Sequence, residues 1–182
     1  MSTLPDFFTI GQGTPVIWGE AGATGISLTV TKTLSLDALA DGAGRMGASA
    51  DLGANWYMEY LLALIVETGT APTAANIVEL FMACSHDNVN WPGKVTGSDA
   101  AYPSTVSANK KQLNAPAVIL IATADANTPL GQNPVIWRPA GRYVAPVVVN
   151  SLGQAFRDET TATNNDSRVV LVPRQDTSQD SA

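Results

Sequence analysis

Apolar and polar residues alternate along much of the chain, in short runs that end at Gly, Pro, Asn or Asp. Over residues 26–31 three apolar side chains alternate with three hydroxyls, which predicts a half-buried strand. Residues 57–67 carry apolar side chains on both faces, which predicts a central strand or one pressed against a partner. A three-turn helix is the alternative for residues 57–67, because Leu, Ala, Met and Glu favour helices.

Residues 76–84 repeat the strand pattern, and the polar stretch at 68–73 predicts that the two segments form a long antiparallel hairpin. Pro146 removes a backbone donor from the strand predicted at residues 143–150, so that strand should lie at an edge or carry a bulge. With about eight to ten strands and no helix, the chain is predicted to be all-β, an antiparallel β-sandwich or barrel. Further strands are predicted at residues 14–18, 117–123, 134–137 and 168–172, and weaker ones at 34–36 and 154–159.

The 182 residues fit one domain with an extension at each end. We expect an N-terminal arm over residues 1–20, a single sandwich over residues 21–174 and a flexible tail over residues 175–182. The arm carries apolar side chains that should pack on a partner, namely Phe7, Phe8 and Ile10. Residues 85–116 read as an irregular stretch, and its length predicts a contact loop.

Composition narrows the set of partners. Charged residues make up 14% of the chain, against about a quarter in a typical soluble domain, so much of the surface is expected to face other protein. The net charge of −6 has the wrong sign for binding phosphates, and nucleic acid is not an expected partner. Cys84 is the one cysteine, which excludes a disulfide within the chain. No apolar run is long enough to span a bilayer and no signal-peptide pattern begins the chain, so no membrane partner is expected.

Two short motifs could carry catalysis, but neither has the context it needs. Residues 42–47 match the dinucleotide pattern G-x-G-x-x-G, with Glu67 placed for a ribose, yet no buried strand precedes the first glycine. Residues 85–87 read Ser-His-Asp, but neighbours in a strand or turn point in different directions and cannot relay a proton. His86 is the one histidine of the chain. We therefore predict no catalytic residue, no cofactor and no enzymatic activity.

The same region offers candidate binding residues. Four residues could supply oxygens to a calcium ion, namely Asp87, Asn88, Asn90 and Asp99. No bidentate Glu completes the set, and Asx-rich turns usually bind their own backbone. No metal site is predicted. Trp91 and Tyr102 lie among these polar residues, where they could anchor the loop, contact a neighbouring subunit or form a sugar-binding surface.

Several stretches resemble small virion structural proteins of tailed bacteriophages, over most of residues 34–172. They are LADGAGR at 39–45, ADLGAN at 50–55 followed by Tyr57, Glu59 and Tyr60, SHDNVNWPG at 85–93, VTGSDAAY at 95–102, RPAGRY at 138–143 and VVVNSLGQA at 147–155. The resemblance implies a jelly-roll-like sandwich and a structural role in the virion, as a capsid cement or decoration protein or another virion component.

This resemblance and the low charge together predict that the partners of the chain are proteins. The expected partners are the phage major capsid protein or neighbouring virion proteins, and other copies of the chain in a homo-oligomer. The predicted interface residues are Phe7, Phe8, Ile10, Trp91 and Tyr102. A carbohydrate-binding sandwich or a tail component used in host attachment is the alternative, with Trp91 and Tyr102 as stacking platforms.

Overall fold

The computed structural model describes residues 14–20, 29–105, 107–125, 129–158 and 167–174, which form two β-sheets packed face to face. The predicted all-β sandwich is confirmed. One short helix, α1 (Ser107–Gln112), and a 3-10 turn at Pro92–Lys94 accompany the sheets. The strands are β1 (Val16–Gly19), β2 (Lys32–Thr33), β3 (Gly44–Met46), β4 (Ala50–Asp51), β5 (Glu59–Val66), β6 (Ile77–Ser85), β7 (Ala100–Tyr102), β8 (Val118–Ile121), β9 (Leu130–Gly131), β10 (Val135–Trp137), β11 (Tyr143–Ser151) and β12 (Arg168–Arg174).

The two sheets have the same number of strands. The front sheet has the order β10-β5-β12-β1-β2, with β9 also pairing with β5. The back sheet has the order β7-β3-β11-β6-β8, with β4 also pairing with β11. Neighbours are antiparallel apart from β1 and β2, which are parallel.

The main core lies between the sheets and follows the alternation of the sequence. Trp18 from β1, Leu62 from β5 and Leu80 from β6 are fully buried there. A second apolar cluster covers the outer face of the back sheet, where Phe81 and Leu113 belong to the same cluster. Residues 57–67 are predicted to be covered on both faces, and β5 has this character. Leu62 and Leu64 belong to the inter-sheet core, and Ala63 belongs to a separate apolar cluster on the other face. The described part of the chain contains no helix of the length and hydrophobicity that a membrane span requires.

The predicted hairpin of residues 57–67 and 76–84 is wrong. β5 belongs to the front sheet, where it pairs with β12 and β10, and β6 belongs to the back sheet, where it pairs with β11 and β8. The intervening segment therefore crosses from one sheet to the other. Both strands are apolar on two faces, a pattern that fits either connection. Local sequence therefore does not distinguish a segment that crosses between sheets from a hairpin.

Pro146 does not lie in an edge strand, because β11 is paired on both sides. Its carbonyl accepts a hydrogen bond from Gly47, so its missing N–H faces the same neighbour, the chain between β3 and β4. Three residues, 47–49, lie there opposite two residues of β11, since Met46 pairs with Val147 and Ala50 with Val144. The neighbouring segment carries the bulge, and the sheet accommodates proline in a central strand.

Two further boundaries differ from the sequence analysis. β1 lies inside the predicted arm of residues 1–20, because Ile17 and Trp18 are buried and β1 pairs with β12. The stretch at 85–116 is not irregular, since it holds the 3-10 turn, β7 and α1. These elements are too short to give a periodic pattern. The predicted arm residues Phe7, Phe8 and Ile10, residues 26–28 and the tail at 175–182 lie outside the described residues.

Candidate interaction surfaces

The turn after β6 is organised by Asp87, as an Asx-rich turn is expected to be. Its carboxylate accepts hydrogen bonds from the backbone N–H groups of Asn90 at 2.8 Å and Val89 at 2.9 Å. Ser85 donates its hydroxyl to the same carboxylate at 3.0 Å. These hydrogen bonds, that of Asn90 first, hold the pKa of Asp87 well below its ordinary value. The fixed turn presents Val89 at its tip, 77% exposed.

The two predicted aromatic contact residues are not both at the surface. Tyr102 is 3% exposed and lies in the outer cluster of the back sheet, so its assignment as an interface residue or stacking platform is wrong. Its position in β7, next to β3, directs the ring into that cluster. Trp91 is half-buried against the same cluster and packs on Gly97, where an added Cβ would lie 3.0 Å from its Nε1.

The other motifs do not assemble into catalytic constellations within the described residues. Gly44 and Met46 of the glycine-rich motif lie in β3, so the motif does not form a phosphate-binding loop before a helix. His86 is exposed in the turn after β6. In the described ranges no three His, Cys, Asp or Glu side chains are grouped as a metal site would need.

One long side of the sandwich carries a polar cluster that joins the sheets. We define the inter-sheet polar cluster as Ser35 after β2, Arg45 in β3 and Asp99 before β7. Asp99 accepts a hydrogen bond from the Ser35 hydroxyl at 2.6 Å and one from Arg45 Nε at 2.6 Å. The Ser35 backbone N–H also points at this carboxylate, 3.1 Å from Oδ2. A single carboxylate thus connects the front sheet to the back sheet.

Opposing effects act on the acids of this cluster. Burial would raise the pKa of Asp99, but hydrogen bonds from Arg45 and Ser35 outweigh it and keep that pKa below its ordinary value. Glu20 follows β1 close by, and burial raises its pKa. The carboxylates of Asp37 and Asp99 act in the same direction on Glu20, against a hydrogen bond with Ser35. Glu20 and Asp99 therefore both interact electrostatically with the Arg45 guanidinium.

The opposite long side is apolar and open. Here β8 ends the back sheet and β10 ends the front sheet. Three isoleucines project to solvent on this side: Ile119 is 45% exposed, Ile121 is 68% exposed and Ile136 is 54% exposed. A cavity of about 340 Å³ opens near the start of β8, with Cys84, Ala117 and Trp137 in its lining. Burial raises the pKa of the Cys84 thiol, which favours its neutral form.

Sequence reasoning assigned residues 117–123 to a strand but did not identify them as a surface. The signal was present, because Val118, Ile119, Leu120 and Ile121 are four consecutive apolar residues, a pattern with both faces apolar. A buried central strand and an uncovered edge strand share this pattern, and only strand order separates them.

Comparison of the chain with protein-family models, with curated proteins and with solved structures finds no match.

Proposed function

We propose that this chain is a structural protein of a tailed-phage virion, which binds the capsid as a cement or decoration protein and acts as a homo-oligomer. The resemblance of residues 34–172 to small virion proteins motivates the proposal. The order of the strands is the structural observation that supports the proposal.

The strand order supports a jelly-roll-like topology. A jelly roll places eight strands in two four-stranded sheets with the orders 1-8-3-6 and 2-7-4-5. Eight units are obtained here when β3 is combined with β4 and β9 with β10, and when β2 and β7 are treated as additional edge strands. The front sheet then reads 6-3-8-1 and the back sheet 2-7-4-5. Viral capsid domains commonly use this fold, although lectins use it too, so the order favours the proposal without being specific to it.

The turn at residues 85–90 has the properties that a capsid contact needs. The turn at residues 85–90 is held by hydrogen bonds to Asp87, so its exposed tip can bind with little loss of conformational entropy. Apolar Val89 at that tip provides the contact with the shell in this proposal. Many copies on a symmetric shell multiply a weak contact of this kind.

The proposal is tested by mixing the purified full-length chain with purified tailed-phage heads or head-like particles and measuring the amount that sediments with them. We expect saturable binding, and light scattering of the free chain should give an oligomeric mass. Val89→Asp should weaken binding at least tenfold, because it places a charge in an apolar contact.

Ala71→Asp provides the matched control. It adds the same charge at an exposed alanine before β6, whereas Val89 follows β6, so the two substitutions lie at opposite ends of the sandwich. We expect this variant to bind heads as the wild type does. Absence of binding by the wild-type chain would refute the proposal, and equal losses in both variants would refute the contact at Val89.

A further inference from the structure

The edge strand β8 exposes its side chains on the outer face of the back sheet. Val118 and Leu120 point into the inter-sheet core, so the alternate residues Ile119 and Ile121 point outward. Ile119 pairs with Glu79 and Ile121 with Ile77 of β6. Residues 91–105 and 107–113 cover the outer face over Phe81, but Ile119 and Ile121 remain exposed.

The backbone of β8 is also open. Ala122, just after β8, donates its N–H to the Asn76 carbonyl, so Ala122 and Leu120 direct their backbone groups toward β6. The intervening residues Ile119 and Ile121 then direct their N–H and C=O groups away from the sheet. Among the described residues no strand pairs with this edge. β8 therefore offers backbone donors, backbone acceptors and apolar side chains at one place.

The edge lacks the usual protection against pairing. Edge strands in soluble proteins generally carry a charge or proline or are covered, since an apolar edge recruits other strands. The segment 117–123, AVILIAT, contains neither a charged residue nor a proline. A partner strand would satisfy the backbone groups and bury both isoleucines.

We propose that residues 6–10 of a second copy of this chain add as a strand to the outer edge of β8. The segment reads Asp-Phe-Phe-Thr-Ile, and three of its five residues are large and apolar. In an added strand Phe8 and Ile10 share one face and Phe7 lies on the other, so either orientation brings a Phe to the isoleucines. Addition of an extended segment to a sheet edge is a common mode of recognition.

The rest of the chain outside the described ranges fits this edge less well. Residues 126–128, 159–166 and 175–182 contain no apolar residue larger than alanine. Residues 21–28 include Ile26 and Leu28, but they join β1 to β2, and β2 is the far edge of the front sheet. Residues 1–13 therefore contain the best-matched segment.

Chain length favours the arm of a neighbouring copy over the arm of the same copy. Four Cα–Cα steps from Ile10 to Thr14 span at most about 15 Å. The outer edge of β8 in the same copy lies about three strand widths and one sheet layer from β1, because β8 packs against β5 across the core. With strands about 4.8 Å apart and sheets about 10 Å apart, that distance is about 18 Å. The arm of the same copy falls short.

Disulfide trapping between two separately labelled full-length chains tests the proposal. Both chains carry Cys84→Ser. One also carries Ile121→Cys, and the other carries Thr9→Cys or, in a second mixture, Ile10→Cys, so that each face of the added strand is tested. After mixing under mild oxidation with oxidised glutathione, we expect a heterodimer on non-reducing gels. Its yield should exceed at least tenfold that obtained when Val89→Cys, at a similarly exposed residue, replaces Ile121→Cys.

Two results would overturn the proposal: no heterodimer with Ile121→Cys, or an equal yield with Val89→Cys. A second measurement needs no cross-link. Ile121→Lys should lower the light-scattering mass of the chain, whereas Val89→Lys should leave it unchanged; an unaltered mass in Ile121→Lys also contradicts the proposal. The inference does not depend on capsid binding, so failure of the chain to bind heads would leave these results unaffected.

Discussion

The two long sides of the sandwich, where the edges of both sheets lie, carry opposite kinds of side chain. On the side of β2 and β7, the inter-sheet polar cluster joins the sheets through Asp99, and Trp18 adds a hydrogen bond from Nε1 to the Ala48 carbonyl at 2.7 Å. On the side of β8 and β10, exposed isoleucines flank a strand edge with which no strand of the described ranges pairs. Side-chain hydrogen bonds link the two sheets on the first side, whereas apolar side chains remain exposed on the second.

We therefore expect substitutions on the two sides to change different quantities: the free energy of unfolding on the polar side and the free energy of association on the apolar side. Groups on the polar side have partners within the described chain, so changes there should alter the free energy of unfolding. Exposed groups on the apolar side bury little surface within the described chain, so changes there should alter association and leave folding nearly unchanged. Three substitutions separate the two contributions.

The largest effect on folding is expected for Asp99→Ala, with a loss of about 2–3 kcal/mol in the free energy of unfolding, because Arg45 and Ser35 lose a partly buried charged partner. Urea denaturation at pH 7 measures it. Folding lowers the pKa of Asp99. Its contribution to the free energy of unfolding is therefore complete above the unfolded pKa of about 4 and is lost as pH falls through the folded pKa. The deficit of the variant should therefore shrink at pH 3 and below.

Asp51→Ala is the control for Asp99→Ala. Asp51 pairs with Arg142 at the surface, and the hydrogen bond from Arg142 lowers its pKa to about 2. Water screens this exposed pair, so its removal should move the denaturation midpoint much less. Equal shifts in the two variants would show that the inter-sheet position of Asp99 gives no special stability.

A smaller effect, of opposite sign, is expected for Glu20→Gln. Folding raises the pKa of Glu20. The wild-type chain therefore gains stability as pH falls through this folded pKa, and the chain is less stable at pH values above the folded pKa. Glutamine keeps the neutral form at every pH. The variant should have a higher thermal midpoint than the wild type at pH 7 and the same midpoint at pH 3.

Asp125→Asn removes one negative charge at an exposed site away from this cluster and controls for net charge. It should leave the difference between pH 7 and pH 3 as in the wild type. If Glu20→Gln lowers the midpoint at pH 7, burial of the Glu20 carboxylate does not destabilise the fold.

The smallest effect on unfolding is expected for Ile121→Lys, within about 0.5 kcal/mol of the wild type when measured at concentrations where the chain is monomeric. The side chain is 68% exposed, so lysine can extend into solvent. Urea denaturation measures the change, and Ile119→Lys should behave alike. A loss above about 1 kcal/mol would show that this surface is covered within a single copy.

The sequence predicts some features of this fold and not others. The short alternating runs predict most of the principal strands, because period-two patterning depends only on which face is buried. The partners of those strands are not predicted. β5 and β6 fit a hairpin equally well, since pairing depends on distant β12 and β11, and a strand with two apolar faces does not specify which neighbour it takes.

The candidate surfaces show the same limit. The Asx-rich turn at Asp87 follows from local residue types and could be predicted. Tyr102 could not, because its burial depends on β7 pairing with β3 and on Leu113 belonging to the same outer cluster. The link from Ser35 to Asp99 joins residues 64 positions apart, a distance over which sequence patterns carry no information about contact.

The sequence by itself determined that this chain is an all-β protein with few charges, because alternation and composition decide which faces can be buried. Tertiary structure decided which strands became edges. Residues 57–67 and 117–123 are both apolar on two faces, yet β5 is enclosed by neighbours and β8 is open. The reason is physical: burial of a strand depends on which long-range hydrogen-bonded neighbours reach it, and these are set by the topology of the whole chain.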